Sequence, residues 1–228
     1  MSEKYISIAI DGPSGVGKTS IAKKIAREKG YLYIDTGAMF RALSVYFLGR
    51  GIKAEDEEAI GRSLKDVHLD IRYEDQTQHM IVNGEDVTSK LRTEAVSRAA
   101  SVISQFRTVR SRLLEMQREL AASADTVMDG RDIGTVVLPN ATLKIFLTAR
   151  PKVRAERRYK QLLELGQLDG ATLESITKDI EERDYRDSHR EIAPLKAADD
   201  AVIIDTSDIS IEEVEAAILR ALQNKINS

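Results

Sequence analysis

Eight consecutive residues, Gly12-Pro13-Ser14-Gly15-Val16-Gly17-Lys18-Thr19, have the types and spacing to hold a polyphosphate. They satisfy G-x-x-x-x-G-K-[ST], the phosphate-binding loop pattern. Glycines without a Cβ let the backbone turn through positive φ and bring its N–H groups against phosphate oxygens. A helix leaving the loop adds its positive dipole end. Lys18 can reach the β- and γ-phosphates, and the Thr19 hydroxyl can sit on Mg²⁺, with Ser20 as a second hydroxyl beside it. The plain alternative is a glycine-rich turn with an exposed lysine. The flanks weigh against it. Ile6–Ile10 reads as a short apolar strand, and Thr19–Glu28 as a helix with Ile21, Ala22, Ile25 and Ala26 on one face. Neither G-x-S-x-G nor the dinucleotide fingerprint G-x-G-x-x-G is completed by these glycines.

A second chemical set is a surplus of arginines: Arg41, Arg131, Arg183 and Arg190, with Arg154, Arg157 and Arg158. Moving a phosphoryl group onto another phosphate brings two polyanions together. Guanidinium forks offset their repulsion and hold attacking oxygen, phosphorus and leaving oxygen in line. No general base is evident, and a phosphate acceptor, already ionised at neutral pH, needs none. Asp129 closes the apolar run Thr126-Val127-Met128, the place of a Walker-B-type aspartate and a second candidate metal ligand. For Arg41 the plain reading is a solvated helix arginine. For the stretch 150–190, with its mixed charges, it is a salt-bridged exposed hairpin.

The elements that must position these residues alternate. Core strands are expected at Ile6–Ile10, Tyr31–Ile34, Thr126–Asp129, Leu143–Leu147 and Ala201–Asp205. Helices are expected at Thr19–Glu28, Ala38–Arg50, Glu55–Leu64, Ser89–Ser104, Thr108–Ala122, Pro151–Leu165, Ala171–Arg183 and Ile211–Ile226. Asp35 or Thr36 is the N-cap of the Ala38 helix, and Gly51 stops it. Val67–Tyr73 alternates with period two, and Met80–Val82, Asn83-Gly84 and Glu85–Val87 follow as a hairpin with a type I′ turn. Gly130–Gly134 reads as a loop. The fold class is α/β: a five-stranded parallel sheet with helices on both faces, a small antiparallel β insert and a helical lid. In such sheets ligands sit beyond the carboxyl ends of the strands. Gly12–Thr19, Asp35–Gly37, Asp129–Asp132 and Asp205–Ser207 all fall at that edge; the first three carry the charged or phosphate-binding side chains, so one site could use them jointly.

Composition excludes several classes. With 34 Lys plus Arg against 37 Asp plus Glu among 228 residues, the net charge is −3, which argues against a nucleic-acid-coating protein. There is no cysteine, hence no disulfide, thiolate nucleophile or cysteine-bound zinc. His68, His79 and His189 are scattered and read as ordinary strand or surface histidines, so any metal is Mg²⁺ held mainly by substrate phosphates. No stretch approaches eighteen apolar residues, and MSEKYISIAID has no signal core. The expectation is a soluble cytoplasmic protein with no membrane partner. A guanine-reading N-K-x-D is absent, which disfavours a GTPase. A kinase for a small alcohol, or a regulatory protein switched by ATP occupancy, remains open at this level.

GPSGVGKT, DTGAMFRAL, the VNGEDVT hairpin, RTEAVSRAAS, DGRDIGTVV and ERDYRDSHREIAPL, in that order, closely resemble bacterial cytidylate kinases, from about Ile8 to Asp205. The resemblance implies an ATP-dependent phosphotransferase acting on CMP and dCMP, with UMP poorer, in pyrimidine nucleotide metabolism. It implies that Arg41, Arg131 and Arg183 grip the CMP phosphate, with Thr36 assisting. Ser101, Arg110 and Asp132 would read the cytosine, and Asp187 with Arg190 would serve the sugar and base side. ATP would lie on Gly12 to Ser20 with Arg154 and Arg157, and Arg158 would act with Lys18, Arg131 and Arg183 in transfer. The metal would be Mg²⁺ as MgATP, on Thr19 and Asp129. The organisation implied is a single domain and a monomer: core at about 1–36, 104–150 and 191–228, nucleotide-monophosphate region at about 37–103, lid at about 151–190. A central loop-bearing strand is also implied.

Overall fold

The computed structural model describes residues 5–74 and 77–227. Residues 1–4, which open the stretch searched for a signal core, lie outside the described residues. In chain order, β1 (Ser7–Asp11) leads to α1 (Lys18–Lys29), and β2 (Leu32–Asp35) to α2 (Thr36–Gly49) and α3 (Glu57–Ser63). Three short strands follow, β3 (Leu69–Glu74), β4 (Thr77–Val82) and β5 (Glu85–Asp86), then α4 (Glu94–Ile103) and α5 (Arg107–Ala121). The chain continues through β6 (Thr126–Gly130), β7 (Leu143–Thr148), α6 (Pro151–Glu164), α7 (Leu173–Ser188), β8 (Val202–Asp205) and α8 (Ile211–Ile226).

Five strands form a parallel sheet in the order β2-β6-β1-β7-β8, with helices on both faces. The loop-bearing strand β1 is central. Ile8, Ala9 and Ile10 are fully buried, as a strand covered on both faces requires, which is why its sequence is a near-continuous apolar run. Ile8 lies opposite Leu143 and Ile10 opposite Ile145 in parallel register, and Ile145 in turn lies opposite Val202.

The chain divides into two compact units, Leu32–Thr126 and Ile6–Tyr31 with residues 127–227. In the first, the antiparallel sheet β3-β4-β5 is separate from the main sheet. Its turn is the expected one: Asn83 (φ 49°) and Gly84 (φ 86°) both take the left-handed backbone of a type I′ turn. Met80 and Val82 are buried in one core with Met39, Leu43 and Phe47 of α2 and Ile103 of α4. In the second unit, α6 and α7 share a small core of their own, Ala155, Ile176 and Ile180 with Tyr159, Leu162 and Leu173.

Several boundaries differ from expectation for identifiable reasons. The helix expected at Ser89–Ser104 starts at Glu94, because the Thr93 side chain accepts from Val96 N at 3.3 Å and acts as N-cap. Thr88–Lys90 is a single 3₁₀ turn instead. The helix expected to end at Arg183 runs to Ser188; it opens on a reciprocal Thr172–Ser175 capping box, and Pro194 is the next strong breaker. Arg183 and Asp187 are therefore helical and one turn apart. The loop expected at Gly130–Gly134 leads into a π-helical turn, Ile133–Val137, with Val137 N on Asp132 O at 3.2 Å and Leu138 N on Ile133 O at 2.7 Å. Such turns cluster at functional sites.

Candidate active site

The glycine loop has the strained geometry that its sequence demands. Gly12, Gly15 and Gly17 have φ of 146°, 80° and 93°, a region that costs any residue with a Cβ. At Gly12 a Cβ would lie 2.1 Å from the Leu147 carbonyl oxygen, so no side chain fits there. Lys18, buried at the start of α1, donates to Gly12 O at 2.7 Å and Pro13 O at 2.6 Å. Burial first, and then the neighbouring Arg131 and Arg183 guanidinium groups, pull its pKa well below the ordinary lysine value, against the opposing pull of Asp129 and Asp11. Three cations are thus held close together, an arrangement that favours a polyanion among them.

Thr19 Oγ1 donates to Asp129 Oδ2 at 3.0 Å. A hydroxyl and a carboxylate are the hard oxygen donors that suit Mg²⁺. Ser20, the other candidate hydroxyl, is exposed. Among the described residues no three His, Cys, Asp or Glu side chains cluster as a metal site. His79 pairs with Asp86 at 3.0 Å, and His189 stacks on Tyr185 with ring centroids 4.0 Å apart.

Beyond Asp129 the arginine set assembles on α7. Arg131 Nε donates to Asp187 Oδ2 at 2.9 Å. Burial would raise the Asp187 pKa, but Arg131, Arg190 and Arg183 outweigh it and hold the carboxyl below its ordinary value. The buried carboxylate thus pairs with Arg131, while Arg190 Nε donates to the Asp187 carbonyl at 3.2 Å. Asp132 is buried at the entry to the π-helical turn.

The lid arginines divide by environment. Arg154 is 2% exposed. Its Nε donates to Ala149 O at 2.9 Å and its Nη1 to Ser14 O and Asp184 Oδ1, both at 3.1 Å. It ties α6 and α7 to the back of the glycine loop. Arg157 is exposed and reaches Thr206, donating to its hydroxyl at 3.1 Å; that hydroxyl in turn donates to Val16 O at 3.2 Å. Arg158 is exposed and meets Gln161 at 2.9 Å.

The first unit collects the remaining candidates around the start of α2. Asp35 caps that helix, accepting from Ala38 N at 2.8 Å, and its other oxygen pairs with Arg41 Nη2 at 2.9 Å. Thr36 is buried at the first helical position. The Arg110 guanidinium lies 5.9 Å from the centre of the Phe40 ring, and its Nη1 donates to Ser104 O at 3.1 Å. Ser104 Oγ donates to Ser101 O at 2.9 Å, so the α4–α5 corner holds Ser101 and Arg110 together. Gln78 of β4 grips the Asp35 backbone, its Oε1 accepting from Asp35 N at 2.8 Å and its Nε2 donating to Asp35 O at 3.4 Å.

Sequence reasoning placed Thr206 at the ligand edge of the sheet within Asp205–Ser207, but missed Asp11, Asp35 as a partner of Arg41, Gln78 and Asp184. Asp11 had a weak signal, a charged residue closing an apolar strand directly before Gly12. The others had none, because their roles arise from partners far along the chain.

A glycine cradle with an inturned lysine, leaving the central strand of a parallel sheet with helices on both faces, defines the P-loop class of nucleotide-binding proteins. The cytidylate kinase family model matches residues 8–224, and the chain belongs to that family. It is similar to a protein named cytidylate kinase from Lactobacillus johnsonii, 46% identical over 96% of this chain and 95% of that one. Cytidylate kinases of a Geobacillus species (46% identical, 97% and 98% covered) and Bacillus subtilis (43% identical, 98% and 99% covered) match comparably. Among solved structures, an uncharacterised protein from Eubacterium ventriosum shares the fold, with a TM-score of 0.52 at 11% identity over 96% of this chain and 98% of that one.

Proposed function

We propose that this protein transfers the γ-phosphoryl group of ATP to CMP and dCMP, giving CDP and dCDP, with UMP a poorer acceptor, in pyrimidine nucleotide metabolism. The observation that carries this reading is the glycine cradle closed on the buried Lys18, whose pKa is pulled down first by burial and then by the Arg131 and Arg183 charges. Arg131 is paired with Asp187, and two nucleotide phosphate chains would supply the further negative charge that this group of cations favours.

In this reading the backbone N–H groups of Gly12 to Ser20 cradle the ATP phosphates, with Arg154 behind the loop and Arg157 on the nucleotide side. Lys18 leaves the Gly12 and Pro13 carbonyls and follows the transferring charge with Arg131, Arg183 and Arg158. Thr19 and Asp129 would hold Mg²⁺, which would supply charge neutralisation to the ATP phosphates. Arg41, Arg131 and Arg183 orient the CMP phosphate with Thr36 assisting, and the acceptor oxygen, already ionised, needs no base. Ser101, Arg110 and Asp132 read cytosine, and Asp187 with Arg190 serves the sugar and base side. A site arranged to accept from N4 and donate to N3 and O2 leaves buried groups unpaired against uracil, which reverses the first two. Residues 37–103 act as the monophosphate region and 151–190 as a lid over the core. The protein works as a cytoplasmic monomer.

The test is ADP release measured with CMP, dCMP, UMP, AMP and GMP as acceptors. Preference for CMP and dCMP is expected. Equal rates with all five, or turnover with none, would overturn the reading.

A further inference from the structure

We propose that Asp11 is a positioning residue, which ties the triphosphate cradle to the Arg131–Asp132 segment by holding the turn that follows that segment. The inference rests on the reading of Arg131 and Asp132 as CMP ligands.

Asp11 is the last residue of β1, covalently joined to Gly12, and is only 4% exposed. Its Oδ1 accepts from Ile133 N at 2.8 Å and its Oδ2 from Gly134 N at 2.7 Å. These are consecutive amides, and they open the π-helical turn directly after Asp132. One carboxylate thus fixes the distance between the first glycine of the cradle and the two residues that would meet the acceptor nucleotide.

A carboxylate is an expensive way to satisfy two amides. Burial outweighs both hydrogen bonds and pushes the Asp11 carboxyl up to about 6. The Lys18 ammonium, whose charge opposes this rise, donates to Gly12 O and Pro13 O. An asparagine would carry no charge, but it offers one acceptor and one N–H₂ donor, and the donor would face a second N–H. Only the carboxylate presents an acceptor to each amide. The far side of the turn is closed as well. A Cβ on Gly134 would meet the Lys144 side chain at 3.2 Å, and Lys144 Nζ is itself held by Asp200 at 2.8 Å. Asp11 holds the turn by its amides, and the Lys144 side chain packs beside Gly134. Phosphoryl transfer is sensitive to such placement, since a misplacement of about 1 Å can cost a hundredfold in rate.

The experiment compares wild type with Asp11→Asn and Asp11→Ala. The readouts are amide hydrogen exchange at Ile133 and Gly134, affinity for an unreactive ATP analogue, and the separate kcat and KM for CMP. Asp11→Asn is expected to bind the ATP analogue within about threefold of wild type and to lose exchange protection at one or both amides. Its KM for CMP should rise, or its kcat fall, by roughly tenfold or more. Protection retained at both amides, or lost protection with unchanged CMP kinetics, would overturn the proposal; so would a loss of ATP-analogue affinity equal to the loss in CMP use. If Asp11→Ala does not fold, Asp11→Asn decides. If wild type does not phosphorylate CMP, the proposed function falls, and the exchange comparison still decides whether Asp11 holds the turn.

Discussion

Thr19 Oγ1 donates to Asp129 Oδ2 at 3.0 Å, joining residues 110 positions apart in the chain. The first residue after the loop lysine and the acidic residue of β6 thus form a ready pair of hard oxygen donors. If they hold Mg²⁺, Asp129→Asn and Thr19→Ala should each shift the half-saturating Mg²⁺ concentration upward by about tenfold, the scale of a lost metal-shell contact. Superimposable Mg²⁺ titrations of wild type and variants would show that the pair only supports the loop.

Lys18 and Arg131 are expected to stabilise charge that develops in transfer. Lys18→Ala and Arg131→Ala should each lower kcat by roughly two orders of magnitude, as lost electrostatic stabilisers do. Steady-state kinetics check this, and full turnover in either variant would remove that residue from the mechanism. Arg131→Ala also leaves Asp187, 7% exposed in its side chain, without the guanidinium that meets it at 2.9 Å, so thermal melting must accompany the kinetics.

At the α4–α5 corner, Ser101→Ala removes a hydroxyl while leaving the Ser101 carbonyl that accepts from Ser104 Oγ. The fold should tolerate it. KM for CMP should rise by about tenfold, the ratio of CMP to UMP use should fall, and KM for ATP should stay constant. An unchanged ratio would mean that the hydroxyl does not read the base.

Arg154 and Arg157 sit one turn apart and should behave oppositely. Arg154 is buried on Asp184, Ala149 and Ser14, so Arg154→Ala should cost about 2 kcal/mol of stability. That is below the 3–5 kcal/mol typical of a broken buried pair because Asp184 keeps partial access to water. Arg157 is exposed, and Arg157→Ala should leave the melting temperature unchanged while raising KM for ATP. Equal melting temperatures for the two variants would contradict this division.

Asp11 makes stability depend on pH. Its folded pKa, about 6, lies above the ordinary 3.8. The contribution is therefore fully present below 3.8 and is lost as pH rises through 6. The stability of wild type minus that of Asp11→Asn should fall by roughly 2 kcal/mol between pH 4 and pH 7. Denaturant unfolding across that range measures it, and a flat difference would show that the carboxyl titrates alike folded and unfolded.

Much of the architecture is legible locally. The five core strands are short apolar runs, and each reappears in the main sheet. The Asn83-Gly84 turn is legible because few other dipeptides take two positive φ values in succession. What escaped local reading was the start of α4, the length of α7 and the π-helical turn after Asp132. Helix ends depend on which side chain happens to cap them. A π-helical turn differs from a loop only in where its amides go.

From the sequence alone came the phosphate cradle, since G-x-x-x-x-G-K-T specifies backbone shape as well as side chains, and the supply of arginines required by two polyanions. Which arginine does what was decided by packing. Arg154 and Arg157 read alike as charges on one helix, yet the fold buries the first on Asp184 and leaves the second exposed. Asp11 becomes significant only when Ile133 and Gly134, more than a hundred residues later, turn their amides onto it. Partners so distant in the chain are brought together by burial of the sheet, and no local pattern of residues encodes them.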